Sequence, residues 1–182
     1  PVHHLRSHIA ANYITNPELE PPFLCLVVSG GHTHIIQVED YTKLRILGCT
    51  RDDAAGEAFD KAARAMGMPY PGGVHLDKVA QDGHNASQKG QTLPVPDLAA
   101  SFRKAVVGCL VHNFTEAARQ TGSKKLVIAG GVSANSLLRS ELERVCAENG
   151  WQFYRPALNL CGDNAAMVGA QGYYEYLAGS RA

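Results

Sequence analysis

The chain has 182 residues, 45% hydrophobic and 19% charged, which excludes a disordered polypeptide and allows one domain with a buried core. Its 17 basic and 17 acidic residues cancel. Bulk positive charge is therefore excluded as a means of holding nucleic acid, and a local patch or other subunits would have to do so. No apolar run approaches the roughly 20 residues that cross a bilayer and no signal peptide opens the chain, so the expected location is cytoplasmic, with no membrane partner.

The first residue is Pro1, and Pro-Val-His-His reads as the end of a strand, so a piece of a longer protein is expected. Phe23-Leu-Cys-Leu-Val-Val28 is a buried strand stopped by Ser29-Gly30-Gly31. His34 to Val38 and Lys43 to Leu47 follow as strands joined by a polar turn, which predicts an antiparallel meander. Apolar residues at helical spacing predict a helix from Asp52 to Gly67, with Gly67 as its stop. After the break at Pro69-Tyr-Pro-Gly-Gly73, a second helix is expected from Gly73 to Gly83, then a polar, irregular stretch from His84 to Pro94. A long helix from Asp97 to Thr121, N-capped near Asp97, ends at Gly122. Leu126 to Ala129 is a strand, Ala134 to Asn149 a helix ending at Gly150, and Gln152 to Arg155 a strand. A last helix is expected to start at Asp163 and to reach about Tyr176. This rhythm predicts an α/β fold with parallel strands beside the meander.

Five cysteines, odd in number and widely spaced without a CxxC pair, predict reduced and mostly buried thiols; Cys25 and Cys109 sit in apolar runs.

Three constellations carry candidate chemistry. His4 and His8 share one face of a helix if the segment is helical, so both imidazoles can reach one metal ion. No Glu follows the first His, so the HExxH pattern of metalloproteases, with its general base, is absent. A carboxylate as third ligand would suit iron or zinc. Asp163 is the candidate, against the simpler reading that it caps the helix it opens. Val27-Val-Ser-Gly-Gly31 and Ile128-Ala-Gly-Gly-Val-Ser-Ala-Asn135 are glycine turns after apolar strands, suited to bringing backbone N–H groups close to a phosphate. The second runs into a helix N-terminus, where the dipole favours anions. Neither matches GxGxxG or GxxxxGK[ST]. Asp60 and Lys61 form a polar pair on an Ala-rich helix, either facing solvent or aimed at a ligand, and spacing does not decide between these.

Six segments then occur in order: His4-Leu-Arg-Ser-His8, Leu26-Val-Val-Ser-Gly-Gly-His-Thr33, Asp52-Asp-Ala-Ala-Gly-Glu-Ala-Phe-Asp-Lys61, Tyr70-Pro-Gly-Gly73, Ala129-Gly-Gly-Val-Ser-Ala-Asn135 and Cys161-Gly-Asp-Asn164. The series resembles the catalytic subunits that threonylcarbamoylate tRNA adenosine, a family once called O-sialoglycoprotein endopeptidases or glycoproteases, in its bacterial form. The resemblance implies an actin-like ATPase fold (RNase H-like, ASKHA) with a mixed sheet and flanking helices. It implies one divalent metal, Fe2+ or Zn2+, on His4, His8 and Asp163. It also implies threonylcarbamoyl-AMP or an adenine nucleotide along Val27, Val28, Ser29, Gly30, Gly31, Asp60, Gly73 and Asn135. The implied reaction is acyl transfer to N6 of the adenosine 3′ of the anticodon, in tRNAs reading codons that begin with A. Its implied partners are tRNA and the other subunits of the bacterial complex, an inactive paralogue and a P-loop ATPase.

Departures from the family pattern are part of the expectation. The family's Gly-Ile-Glu-Thr-Ser-Cys-type phosphate loop is not in the sequence, nor are its Phe-Pro-Arg-Pro and Phe-Ser-Phe-Ser-Gly stretches, and Gly83-His-Asn85 passes directly to Ala86. Residues 1–182 are accordingly expected to be a partial actin-like ATPase domain with a gap near 85–86, inactive or weak by itself. Three other readings stand beside this one. A metal-dependent glycoprotein endopeptidase would lack a hydrolytic base. A non-catalytic actin-like ATP-binding module or sugar kinase would have no use for paired metal histidines. A scaffolding paralogue would have no reason to keep all three ligands.

Overall fold

The computed structural model describes residues 1–83 and 95–180. Helix α1 (His4–Thr15) comes first, followed by strands β1 (Phe23–Val28), β2 (Thr33–Asp40) and β3 (Lys43–Cys49). Helices α2 (Ala55–Ala65), α3 (Gly72–Gly83) and α4 (Val95–Thr121) precede strand β4 (Lys125–Ala129). A 3-10 turn at Gly131–Ala134 leads into α5 (Ser136–Asn149), then β5 (Gln152–Tyr154), a 3-10 turn at Leu158–Leu160 and α6 (Ala165–Leu177).

The five strands form one sheet in the order β3-β2-β1-β4-β5. The β1–β2 and β2–β3 pairs are antiparallel, with Cys25 opposite Ile36, and the β1–β4 and β4–β5 pairs are parallel, with Cys25 also beside Val127. The meander and the parallel strands are both as the sequence predicts. Successive strand side chains point to opposite faces, so β1 supplies two cores. Leu24, Leu26 and Val28 pack with Leu126 and Ile128 against Val107, Leu110 and Phe114 of α4 and Leu138 and Leu142 of α5. Phe23, Cys25 and Val27 pack with Val127 and Ala129 against Leu5, Ile9 and Tyr13 of α1. A third core joins Phe59 and Ala63 of α2 to Leu76 and Ala80 of α3 and Ala99 of α4.

Several predicted boundaries move, each for a local reason. Pro-Val-His-His is no strand end: His3 N-caps α1, its side chain accepting from the Leu5 N–H. α2 begins at Ala55 rather than Asp52 because residues 50–53 are tied into a turn, the Thr50 hydroxyl donating to Asp53 O at 2.8 Å. α4 starts at Val95, before Asp97, which sits in its first turn where a carboxylate suits the dipole. α5 begins at Ser136, since Gly131–Ala134 is a 3-10 turn and Asn135 caps the helix. β5 ends at Tyr154, one residue before the expected Arg155. α6 is capped by Asn164 and begins at Ala165, so Asp163 does not open it. Gly67, Gly122 and Gly150 end their helices with φ of 78°, 69° and 65°, a conformation that side-chain-bearing residues resist. Cys25, Cys146 and Cys161 are buried free thiols, whereas Cys49 and Cys109 are exposed: α4 turns Cys109 outward from its apolar run. The expected irregular stretch from His84 to Pro94 and the gap near 85–86 lie outside the described residues.

Candidate metal centre and adjoining cleft

α1 carries His4 and His8 one turn apart, and their rings meet edge to face with centroids 4.6 Å apart. Asp163 comes from the segment between the second 3-10 turn and α6. Its Oδ1 lies 3.1 Å from His8 Nε2 and 3.6 Å from His4 Nε2. One ligand atom from each of the three residues falls within 4.8 Å of the others. Metal bonds of about 2.0–2.2 Å separate tetrahedral ligand atoms by roughly 3.4 Å, so the cluster needs little adjustment to close on one ion. Because Asn164 takes the capping role, accepting from Met167 N at 2.9 Å, the Asp163 carboxylate is left for the histidines.

His8 gives the test of whether an ion fits. Its side chain is only 1% exposed, its Nδ1 is buried without a hydrogen-bond partner, and its Nε2 has the Asp163 carboxylate 3.1 Å away but out of hydrogen-bond alignment. Such groups are costly unless something satisfies them, and a cation is what a neutral imidazole facing a carboxylate can take. Burial, then the neighbouring His4, hold the His8 imidazole below its ordinary pKa against the opposing pull of Asp163, with His32 adding to the lowering. This keeps the ring neutral, the form that ligates.

Next to the cluster is a cleft of about 450 Å3, lined among others by Gly30, Asp60, Gly73, Asp77, Gly131, Asn135 and Gly162. This size suits a small-molecule site. Gly162 is the neighbour of Asp163, and the His32 ring stands 6.0 Å from that of His4, so cluster and cleft are contiguous. Beyond the α-carbons of Gly30, Gly131 and Gly162 there is open space where a side chain would project, a cradle that any larger residue would fill.

The predicted site residues divide. Gly30, Asp60, Gly73 and Asn135 meet on the cleft. Val27 and Val28 do not: their side chains enter the cores on opposite faces of the sheet. Ser29 closes its own turn, its N–H donating to His32 O at 2.8 Å and its hydroxyl accepting from His32 N at 3.1 Å. Gly31 is exposed beside it. Asp60 faces the cleft and accepts from Gly73 N at 3.2 Å, fixing the start of α3, while Lys61 points outward to Asp53 and Glu57. Asn135 caps α5 through Leu138 N at 3.0 Å. Its amide also donates to Asp77 Oδ1 at 3.0 Å.

Sequence reading missed Asp77, Gly56 and His32 as individual site residues. Asp77 is gripped by Arg103 at 2.8 Å, by Asn135 and by Ser136, a convergence of α3, α4 and α5 that no local spacing announces. Gly56 carries a signal, being a glycine inside a helical pattern. A Cβ there would stand 2.6 Å from Ser29 O and 2.8 Å from the Gly30 α-carbon, so its absence lets α2 rest on the first glycine turn.

Residues 1–170 match the sequence profile of the tRNA N6-adenosine threonylcarbamoyltransferase family. Relatives of that name include one from Clostridium botulinum (strain 657 / Type Ba4), 42% identical over 99% of this chain and 62% of its own length. Another, from Caldicellulosiruptor saccharolyticus, is 42% identical over 98% of this chain and 62% of its own length. The chain thus spans under two thirds of the relatives it matches. The first alignment runs over 212 positions, more than the 182 residues present, so the relative carries residues inside the matched region that this chain lacks. Among solved structures, full-length HypF in its phosphate- and nucleotide-bound form superposes with a TM-score of 0.73 at 13% identity, over 98% of this chain and 36% of that one. Component A of the Acidaminococcus fermentans (R)-2-hydroxyglutaryl-CoA dehydratase does so at 0.57 and 17% identity, over 96% of this chain and 68% of that one. These likenesses show the fold, the actin-like ATPase type with a mixed sheet and flanking helices. On the ordered motifs, the profile and the identity with its members, the chain belongs to the tRNA N6-adenosine threonylcarbamoyltransferase family.

Proposed function

We propose that this chain forms the metal- and donor-binding part of an enzyme that moves a threonylcarbamoyl group from threonylcarbamoyl-AMP to N6 of the adenosine 3′ of the anticodon. The observation that carries the reading is the His4–His8–Asp163 cluster, with the buried His8 imidazole facing the Asp163 carboxylate, opening onto a glycine-lined cleft. The donor is a mixed anhydride whose carbonyl is already activated. The N6 nitrogen attacks the carbamoyl carbon, the C–N bond forms, the C–O bond to phosphate breaks, AMP leaves, and the attacking nitrogen gives up a proton.

An iron(II) or zinc ion on the three ligands would supply Lewis acidity at the carbamoyl carbonyl and would keep positions open for it. His8, locked in the core, and Asp163, carried on a loop, would set where that acidity acts. Open backbone at Gly30, Gly131 and Gly162 would let the nucleotide phosphate approach N–H groups, which would stabilise the charge developing on leaving AMP. Asp60 borders the same cleft and suits the hydroxyl and amine donors of an adenosine, whereas the Asp77 carboxylate is already taken by Arg103, Asn135 and Ser136 and holds the wall of the cleft. Positioning then accounts for most of the remaining work, since an amine is a competent nucleophile.

The neutral charge of these residues supports a reading in which tRNA is gripped largely by partner subunits, for which the family resemblance implies an inactive paralogue and a P-loop ATPase in the cytoplasm. The test is the metal content of purified protein. Wild type is expected to hold close to one equivalent of iron or zinc, and His8→Ala and Asp163→Ala less than a tenth of it. Equal metal in all three proteins would overturn the proposal.

A further inference from the structure

We infer that Arg139 couples the metal cluster to the cleft, so that filling one tightens the other. This rests on the metal-and-nucleotide reading above and concerns a residue that touches neither ligand. Arg139 lies in the first turns of α5, and its guanidinium spans two separate segments. Nε donates to Ser133 O at 2.6 Å, within the 3-10 turn whose Val132 and Ala134 border the cleft. Nη2 donates to Pro156 O at 2.8 Å and to Cys161 Sγ at 3.1 Å, at the two ends of the stretch that leads to Asp163.

Cys161 is 2% exposed, and its thiol in turn reaches Ala157 O at 3.5 Å. The loop is therefore pinned at Cys161 on one side and at the Asn164 cap on the other. Only Gly162 and Asp163 lie between the pins. One of these lines the cleft and the other is the third ligand, 74% exposed and dependent on its backbone for position. An ion that draws in Asp163 moves Gly162 with it. Through the guanidinium, the second glycine turn is held in register with that movement. Occupying the cleft fixes the same two segments from the other side, and coupling of this kind is reciprocal. A planar fork with donors in fixed directions holds acceptors on two segments in one geometry, whereas an ammonium on a flexible stem fixes no such geometry. Arg139 is a positioning residue in this scheme.

The experiment measures adenosine affinity with and without one equivalent of Zn2+, and Zn2+ affinity with and without adenosine. Adenosine has no phosphate to touch the ion, so coupling must pass through the protein. Wild type is expected to bind adenosine roughly five-fold or more tighter when zinc is present, and zinc tighter by the same factor when adenosine is present. In Arg139→Lys and Arg139→Gln the factor is expected to fall within two-fold of unity while each ligand still binds alone. A general loss of structure would weaken both affinities without abolishing their ratio. Should those variants fail to fold, Cys161→Ala, which removes one anchor and keeps the other two, is expected to reduce the factor. A wild-type factor of one, or the same factor in the variants, overturns the inference and leaves the functional reading standing. Wild-type protein that binds no zinc overturns the functional reading, and the inference with it.

Discussion

Two kinds of residue decide this site: those that must be absent of side chain and those buried with an unpartnered polar atom. Gly56 is the first kind. Its α-carbon is pressed against the Ser29–Gly30 backbone, which cannot move aside as a flexible side chain would. Gly56→Ala is expected to destabilise the fold by about 1–3 kcal/mol in thermal unfolding, as overpacking does, and to weaken nucleotide binding by displacing the first turn. An unchanged melting temperature would show that α2 shifts freely. His8 is the second kind. Replacing it with Leu removes a buried Nδ1 that has no partner but also the Nε2 contact with Asp163, so metal-free His8→Leu is expected to stay within about 1 kcal/mol of wild type in stability. Added zinc is expected to raise the melting temperature of wild type only, since a ligand stabilises only the state it binds. A large loss of stability in metal-free His8→Leu would mean that the imidazole is a structural residue. Both residues were named in sequence motifs. Only contacts from distant segments, Ser29 against α2 and Asp163 against α1, reveal what each does.

α1 and α6 pack side by side, and Arg6, in the same turn of α1 as His4 and His8, bonds to Glu175 near the end of α6. Arg6 Nη1 donates to Glu175 Oε1 at 2.6 Å, and Gln171 Nε2 donates to the same oxygen at 3.1 Å while also reaching Tyr41 O at 3.1 Å. Burial pushes the Glu175 carboxyl up, but the bonds from Arg6 and Gln171 outweigh it and leave the group below its ordinary value. A carboxylate depressed in the folded state stabilises the fold above its unfolded pKa of about 4.3, and that contribution is lost as pH falls through the folded value. Glu175→Gln is thus expected to cost about 1 kcal/mol at neutral pH and to flatten the fall in stability below about pH 4.5, read by urea unfolding across pH. An identical acid profile in the two proteins would remove Glu175 as the cause. At this scale the sequence was largely readable, because helix periodicity and terminal glycines act locally. The α6 start was misread by two residues, since Asp163 and Asn164 are both good caps and the competition for Asp163 comes from α1.

For the whole molecule, the balance of 17 basic and 17 acidic residues bears on tRNA. Alone at about 0.15 M salt, the chain is expected to bind tRNA no more tightly than about 1 μM in a filter assay, in the range of non-specific binding. Nanomolar affinity that falls steeply with salt would reveal a basic surface that the net charge conceals. The actin-like α/β class, the antiparallel-then-parallel sheet and the family were legible in the sequence. Strand alternation, glycine stops and ordered motifs are properties of neighbouring residues, written directly into the chain. What the sequence could not supply is which polar groups meet. His4 and Asp163 are 159 positions apart, Asp77 and Asn135 are 58 apart, and one guanidinium reaches two loops. Lys61 and Asp60, alike on paper, were sent to solvent and to the cleft by the packing of α2 on α3. Composition and periodicity set the elements; the burial of two faces of one sheet decided which side chains came together, because only packing fixes how separate elements face one another.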